Sequence, residues 1–324
     1  MVTVKDIAAA VGVSVATVSN VLNDRPNVGT VIRRKVLDAA REMGYQPNRA
    51  AQAMRTGRTR AIGLVLPDLT NPFFPELAQA VENKARGLGL LVCLIDSQGS
   101  PRGESDGFAL LQQAVDGVIW CPLGPRLPAS VKKLNVPIVL IDRPRPGYAV
   151  VHSNYLMGGR LLAEYALRMG HRRVGLLSGP QNLESARQRR DGFVRAFPGE
   201  LKIAWEVSVP FDGALTDEAI DALKRRRTAT LVVCGNDLIA ISAIRCLTQH
   251  GARVPDDVSV VGFDNIRWAD VVTPRLTTIA QPVGAIGARA VELMLERIAG
   301  KKVVEPHTVF DVELIERDSV KRSR

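Results

Sequence analysis

Residues 1 to 23, MVTVKDIAAAVGVSVATVSNVLN, decide how the rest of the chain is read. Val4, Ile7, Ala8, Val11, Val13, Val18, Val21 and Leu22 recur at helical spacing, and Gly12-Val13-Ser14 breaks the pattern, so two short helices are predicted. Gly12 can take a turn conformation that a Cβ would resist. The Ser14 hydroxyl can cap the second helix while Val13 turns inward. Such a pair is a helix-turn-helix. The outer face of its second helix carries Val15, Ala16, Thr17, Ser19 and Asn20, side chains short enough for the helix to sit deep in a major groove. There Asn can bond adenine through two hydrogen bonds, and Val or Ala can meet a thymine methyl. A small helical hairpin capping another domain is the competing reading, and it does not account for the charge nearby.

That charge is concentrated at one end. Residues 1–60 hold ten Lys and Arg against four Asp and Glu, which places +6 of the chain's formal +10 in under a fifth of its 324 residues. A basic footprint confined to a small helical domain predicts phosphate contacts there, with Arg55, Arg58 and Arg60 adding general attraction. With 46% hydrophobic residues the chain can bury a substantial core in more than one domain. No segment is apolar for long enough to span a bilayer, and Met1 leads straight into a charged amphipathic helix. Neither signal peptide nor anchor is expected, and the expected location is the cytoplasm. Cys93, Cys121, Cys234 and Cys246 include no CxxC pair and read as buried thiols of a reducing compartment.

Beyond the first two helices, Thr30 to Met43 places Val31, Val36, Leu37, Ala40 and Met43 at helical period. Gly44-Tyr45-Gln46-Pro47 ends that helix. Asn48 can cap one further short helix from Arg49 to Met54, too short to be stable without a partner. The expected divisions are a headpiece over 1–47, a hinge and linker over 48–60, and a core over 61–324. In that core apolar runs alternate with helices: Ala61–Leu66, Leu90–Ile95, Gly117–Trp120, Val136–Ile141, then Arg173–Leu177, Leu201–Val209, Thr230–Cys234 and Val258–Gly262. Continuous apolar strands of this kind predict parallel sheets covered on both faces, and the length favours two α/β subdomains. Polar residues gather just after strands: Asp68 and Asn71, Asp142 and Arg143, Ser178, Asn236 and Asp237, Asp264 and Asn265. Those are the positions where open α/β folds hold ligands, although Asp68 and Asp237 can also be helix caps alone.

The whole of residues 3 to about 315 resembles the lactose repressor and purine repressor family. The resemblance rests on Thr3-Val4-Lys5-Asp6-Ile7-Ala8, Gly12-Val13-Ser14, Thr17-Val18-Ser19, Val21-Leu22-Asn23 and Gly44-Tyr45-x-Pro47-Asn48. It continues through Asn71-Pro72-Phe73-Phe74, Gly170-His171, Gly192-Phe193, Gly262-Phe263-Asp264 and Thr277-Thr278-Ile279-x-Gln281-Pro282. It implies a two-subdomain, periplasmic-binding-protein-like α/β core behind an all-α helix-turn-helix headpiece, with crossings between subdomains near 160 and 285. It implies base reading by Val15, Ala16 and Asn20, and a hinge helix over 49–54 that enters the minor groove. The DNA-facing set is then Thr3, Val15, Ala16, Thr17, Ser19, Asn20, Asn23, Arg49, Ala53, Met54 and Arg55. Met54 stands where relatives have a wedging leucine, and Gly29 where they have a capping serine.

Matching positions likewise imply effector contacts at Phe73, Phe74, Arg143, Ser185, Arg189, Phe211, Asn236 and Asp264. Aromatic faces would cover the apolar side of a small molecule, and Arg189 with Asp264 would fix anionic or hydroxyl groups. A sugar, a sugar acid, a sugar phosphate or a purine fits this set; Ser153 replaces an aspartate common in relatives. The function expected is a ligand-responsive regulator, a repressor that binds a palindromic operator as a homodimer, with no cofactor, metal or membrane partner. A dimer is expected rather than a tetramer because no long leucine-heptad tail follows Glu316. The alternative is a small-molecule binding protein of the same fold without operator-specific regulation. An enzyme is not expected: no GxGxxG, P-loop or metal-spaced cluster is present, and His152, His171, His250 and His307 are scattered, with surface or capping roles expected.

Overall fold

The computed structural model describes residues 2–22, 25–45, 53, 57–124, 127–225, 228–301 and 307–323. The chain forms two compact units, Met1–Thr59 and Arg60–Arg324.

In the first unit, α1 (Val4–Val11) and α2 (Val15–Leu22) meet at a bend of 110°, and α3 (Thr30–Glu42) packs across both. The bend is made as its residues predict. Gly12 has φ +71°, the Val13 N–H donates to the Ala8 carbonyl at 3.1 Å, and Ser14 Oγ accepts from the Thr17 N–H at 3.1 Å. At the start of α1 the Asp6 carboxylate accepts from both the N–H and the hydroxyl of Thr3, which holds its pKa below the usual value. Ile7, Ala8, Val18, Val21, Val36 and Ala40 form the buried centre, with Val4, Val11, Val13 and Tyr45 around it.

Two α3 residues expected to face inward do not: Val31 is 68% and Leu37 43% exposed. At about 100° per residue, both lie 100° or more around the helix from Val36, outside the stripe that Val36 and Ala40 define. Gly44, at φ +65°, closes α3, with the Tyr45 N–H on the Ala40 carbonyl at 2.9 Å.

The second unit contains two six-stranded sheets. The first runs β11 (His307–Phe310), β5 (Ala149–Ser153), β4 (Ile138–Ile141), β3 (Gly117–Trp120), β1 (Ala61–Leu66), β2 (Leu91–Asp96). The second runs β12 (Glu313–Ile315), β10 (Thr277–Ala280), β9 (Ser259–Asp264), β8 (Leu231–Cys234), β6 (Arg173–Ser178), β7 (Lys202–Ser208). Neighbours pair in parallel except β10 with β12. Central strands β1, β3, β4, β8, β9 and β10 are buried throughout, which is why they read as unbroken apolar runs. Edge strand β2 departs from that expectation: with one side of the sheet ending there, Leu91 and Leu94 are exposed.

Helices α4 (Phe73–Gly87) and α10 (Val283–Ile298) pack together and share a buried core with Leu64, Ile119 and Val151 of the first sheet. Helix α5 (Pro101–Leu111) covers the sheet's other face through Phe108 and Leu111, around Trp120. In the second lobe, α6 (Tyr155–Arg168) and α7 (Glu184–Val194) lie on one face with Leu176 and Phe263; α8 (Asp217–Lys224) and α9 (Asp237–Gln249) lie on the other.

The chain passes between lobes at Asn154, at Gln281-Pro282 and again between β11 and β12, three passages rather than the two expected near 160 and 285. Two of them are bonded to each other. The Asn154 N–H donates to the Phe310 carbonyl at 2.7 Å, and Asn154 Nδ2 donates to Asp311 Oδ1 at 3.0 Å. The expected positions fell inside helices because β5, β10, β11 and β12 were not recognised as strands, and each passage follows directly on a strand end.

Candidate functional site

On the headpiece, the face beyond the core presents Val15, 45% exposed, and Ala16, also exposed, with Ser19 and Asn20 half-buried beside them. Thr17 is half-buried too, and its hydroxyl is within hydrogen-bond distance of Ser14 Oγ at 2.9 Å, so it stiffens the turn as well as bordering the face. Thr3 lies exposed at the start of α1 with its hydroxyl on Asp6. Of the expected hinge residues, Arg49, Met54 and Arg55, together with Asn23, lie outside the described residues. Ala53 is helical, and its carbonyl accepts from the Gly57 N–H at 2.8 Å, a bond of α-helical spacing. Arg60, expected to attract phosphate, is tied to the second unit: its N–H donates to Asp116 at 2.8 Å and its guanidinium reaches the Leu88 carbonyl at 3.4 Å.

In the second unit, strand ends from both sheets converge on a cavity of about 60 Å³. All eight residues named for effector contact line it: Phe73 and Phe74 from the start of α4, Arg143 after β4, Ser185 and Arg189 from α7, Phe211 after β7, Asn236 after β8 and Asp264 ending β9. Asn71, Cys121, Asp142 and Tyr155 line it as well; Asn71 and Asp142 were noted only as polar residues after strands, and Cys121 and Tyr155 were missed. Asn71 and Asp142 carried a signal, since both follow strands. Tyr155 carried none, because only the passage at Asn154 brings the first residue of α6 to this point.

The polar groups differ in how far they are already engaged. Asn236 is buried and used as a cap: Oδ1 accepts from the Ile239 N–H at 2.9 Å and Nδ2 donates to the Phe211 carbonyl at 2.9 Å. Asp237, weighed as a cap, instead bridges β10 and the turn after β9. It accepts from the Thr278 hydroxyl at 2.5 Å and the Ile266 N–H at 2.8 Å, and burial holds its pKa well above the ordinary value. Asp68 accepts from the N–H and hydroxyl of Thr70 in a turn.

Arg189 is nearly enclosed. Its Nη1 lies 2.9 Å from Asp264 Oδ1 and donates to the Gly235 carbonyl at 2.8 Å, and its guanidinium carbon sits 4.0 Å from the centre of the Phe263 ring and 4.9 Å from that of Tyr155. Asp264 also accepts from Gln281 Nε2 at 2.7 Å, and Gln281 Oε1 accepts from the buried Ser153 hydroxyl at 2.7 Å. The serine that replaces a carboxylate in the sequence therefore belongs to a chain running Ser153, Gln281, Asp264, Arg189 across the passage at 281. Asp142, at φ +76°, accepts from the Tyr155 hydroxyl and from Ser185 Oγ, the latter at 3.3 Å.

Burial pushes the Asp264 carboxyl up from 3.8 to about 6, outweighing the opposing pull of Arg189 and Gln281. The folded state therefore holds this proton more tightly than the unfolded chain does, a contribution fully present below about pH 4 and lost as pH rises through about 6. Compared with Asp264→Asn, the wild type is expected to lose up to about 3 kcal/mol of relative stability over that range and to change little above it. Urea unfolding of both proteins at several pH values measures this; parallel curves would contradict it.

Two of the histidines are engaged within the second unit. His171, expected at the surface or as a cap, is buried against the Thr230 hydroxyl at 2.9 Å, and burial lowers its pKa to about 4, so it is neutral. His250 bonds the Cys246 carbonyl at the end of α9. Among the described residues, no cluster of three or more His, Cys, Asp or Glu is placed to hold a metal ion, and no single helix is long and apolar enough to cross a membrane.

A helix-turn-helix unit joined to a two-lobed α/β unit with a polar, aromatic-lined cavity between its sheets defines a class: regulators that couple DNA binding to a small molecule. Residues 3–48 match the bacterial regulatory proteins of the lacI family, and residues 163–320 match the periplasmic binding protein-like domain. The chain is 34% identical to the HTH-type transcriptional repressor PurR of Mannheimia succiniciproducens, with 99% of each chain covered. It is 33% identical to the ribose operon repressor of Halalkalibacterium halodurans, covering 99% of this chain and 98% of that one. Among solved structures, the Lac repressor dimer bound to operator and the anti-inducer ONPF matches with a TM-score of 0.83 and 27% identity, over 99% of both chains. The chain belongs to the lacI family of bacterial regulatory proteins. It is a ligand-responsive transcriptional regulator, not an enzyme, and its partners are operator DNA and a small-molecule effector.

Proposed function

We propose that the protein represses transcription in the cytoplasm as a homodimer on an inverted-repeat operator. Val15, Ala16 and Asn20 read bases, with Thr3, Thr17, Ser19 and Asn23 around them. Arg49, Ala53, Met54 and Arg55 form the hinge, in which Met54 wedges into the minor groove. Two headpieces are needed because one short recognition helix reads too few base pairs, and two-fold symmetry in the protein calls for two-fold symmetry in the DNA. The exposed Leu91 and Leu94 of edge strand β2 offer the apolar surface that a second copy would cover.

A small molecule held by Phe73, Phe74, Arg143, Ser185, Arg189, Phe211, Asn236 and Asp264 biases the relative orientation of the lobes. Headpiece spacing and hinge folding follow from that bias. The observation that carries this reading is the convergence of those eight residues, drawn from both lobes, on one cavity. A site that spans two bodies can favour one arrangement of them, which a site within one lobe cannot.

Selection of bound duplexes from a random library, with and without a metabolite panel, tests it. Inverted repeats should be recovered, and some metabolite should change their yield. Asn20→Ala should lower affinity for the selected duplex by about 1 to 3 kcal/mol while leaving affinity for unrelated DNA almost unchanged. An equal loss on every duplex would make Asn20 a structural residue.

A further inference from the structure

We infer that the effector is a compact carboxylate, a monoanion of sugar-acid type, whose charged end is held by Arg143. The inference rests on the reading of the cavity as the effector site, and it comes from the lining cation with the most unpartnered donors among the described residues. Arg189 is largely engaged: Nη1 serves Asp264 and the Gly235 carbonyl and the rings cover its faces, so that Nε is its one buried nitrogen without a partner among the described residues. Arg143 is less engaged. Its side chain is 12% exposed, its Nε and Nη1 are shielded from water, and neither makes a hydrogen bond among the described residues. Its one ion contact among the described residues is Nε to Asp142 Oδ2 at 3.5 Å, outside good hydrogen-bond length. Asp142, meanwhile, accepts from the hydroxyls of Tyr155 and Ser185 and does not depend on Arg143. A buried guanidinium with empty donors is costly, and a planar fork is matched by an oxyanion that takes two of its N–H groups at once.

Three further observations narrow the class. Asp142 lies beside Arg143, so a dianion such as a phosphate monoester would meet a fixed negative charge that a single carboxylate charge meets more weakly. Asp264, with its carboxyl raised to about 6, is close enough to neutral pH to exchange its proton as an anion enters. Phe73, Phe74, Phe211 and Tyr155 supply faces for a ring, and a cavity of about 60 Å³ restricts the occupant to a compact molecule.

Calorimetry on the full chain with glucuronate, galacturonate, gluconate, glucose, glucose 6-phosphate and hypoxanthine tests this. At least one of the three acids is expected to bind about tenfold or more tightly than glucose, and more tightly than the phosphate ester. Arg143→Gln should abolish that preference, and Arg143→Lys should keep part of it, with circular dichroism checking the fold of both. Tightest binding of glucose or hypoxanthine would overturn the carboxylate while leaving the cavity as the effector site. Tightest binding of glucose 6-phosphate would overturn the monoanion. A preference unchanged in Arg143→Gln would remove Arg143 from it. Binding of none of the six probes would overturn the inference and count against the cavity reading too.

Discussion

Arg189→Ala is expected to destabilise the second unit by about 3–5 kcal/mol and to abolish the response of operator binding to ligand. The magnitude follows from what the side chain holds. Arg189 and Asp264 are only 10% and 6% exposed, so removing the cation leaves a carboxylate with little access to water. It also removes the body that fills the space between Phe263, Tyr155 and Phe211. The sign with pH can be worked out. Without Arg189 the Asp264 carboxyl, already raised to about 6, rises further and takes up a proton near neutrality. The deficit should therefore shrink at pH 5. Arg189→Lys should recover only part of the loss, because an ammonium cannot lie flat on Phe263 or bond both Asp264 and Gly235 in the same geometry. Urea unfolding at pH 5 and pH 7.5, with operator binding titrated against ligand, gives both readouts. A change below about 1 kcal/mol with a normal ligand response would contradict the role assigned to this pair.

Gly192→Val is expected to cost more than about 4 kcal/mol, or to leave no soluble protein. A Cβ at Gly192 would stand 2.2 Å from the Leu156 carbonyl oxygen, and one at Gly159 would stand 2.2 Å from the Arg189 carbonyl oxygen. Helices α6 and α7 thus meet backbone to backbone, and no side chain is available to move aside. Because α6 contributes Tyr155 and α7 contributes Ser185 and Arg189, separating them would also open the cavity. Gly284 provides the contrast: it lies exposed in α10 with nothing within 4 Å of a Cβ. Gly284→Ala should be neutral or stabilise by up to about 1 kcal/mol. Thermal unfolding of the two variants separates a glycine required by close approach from one that is not.

The headpiece was legible because its signals are local. Ser14 caps α2, Gly12 takes its left-handed turn, and Ile7, Ala8, Val18 and Val21 face inward, all from contacts within a few residues of one another. The same holds for strands buried on both faces, whose apolar runs need no partner to be seen. The Gly192-Phe193 motif was visible as a motif, but its reason, a carbonyl of another helix, was not.

What the amino-acid order by itself determined is therefore the helix-turn-helix, the α/β alternation, the basic bias of the first 60 residues and the set of polar residues following strands. Only the tertiary structure decided which of those residues share a cavity, and which already have partners within the protein. Asn236 caps α9, Arg189 pairs with Asp264, and Arg143 Nε and Nη1 are left without a hydrogen bond among the described residues. It also decided where the chain passes between lobes, since β11 pairs with β5 across more than 150 positions. Periodicity and capping report on neighbours within a turn or a strand. Sheet partners, burial and hydrogen-bond saturation are set by residues far away in the chain, and no local pattern encodes them.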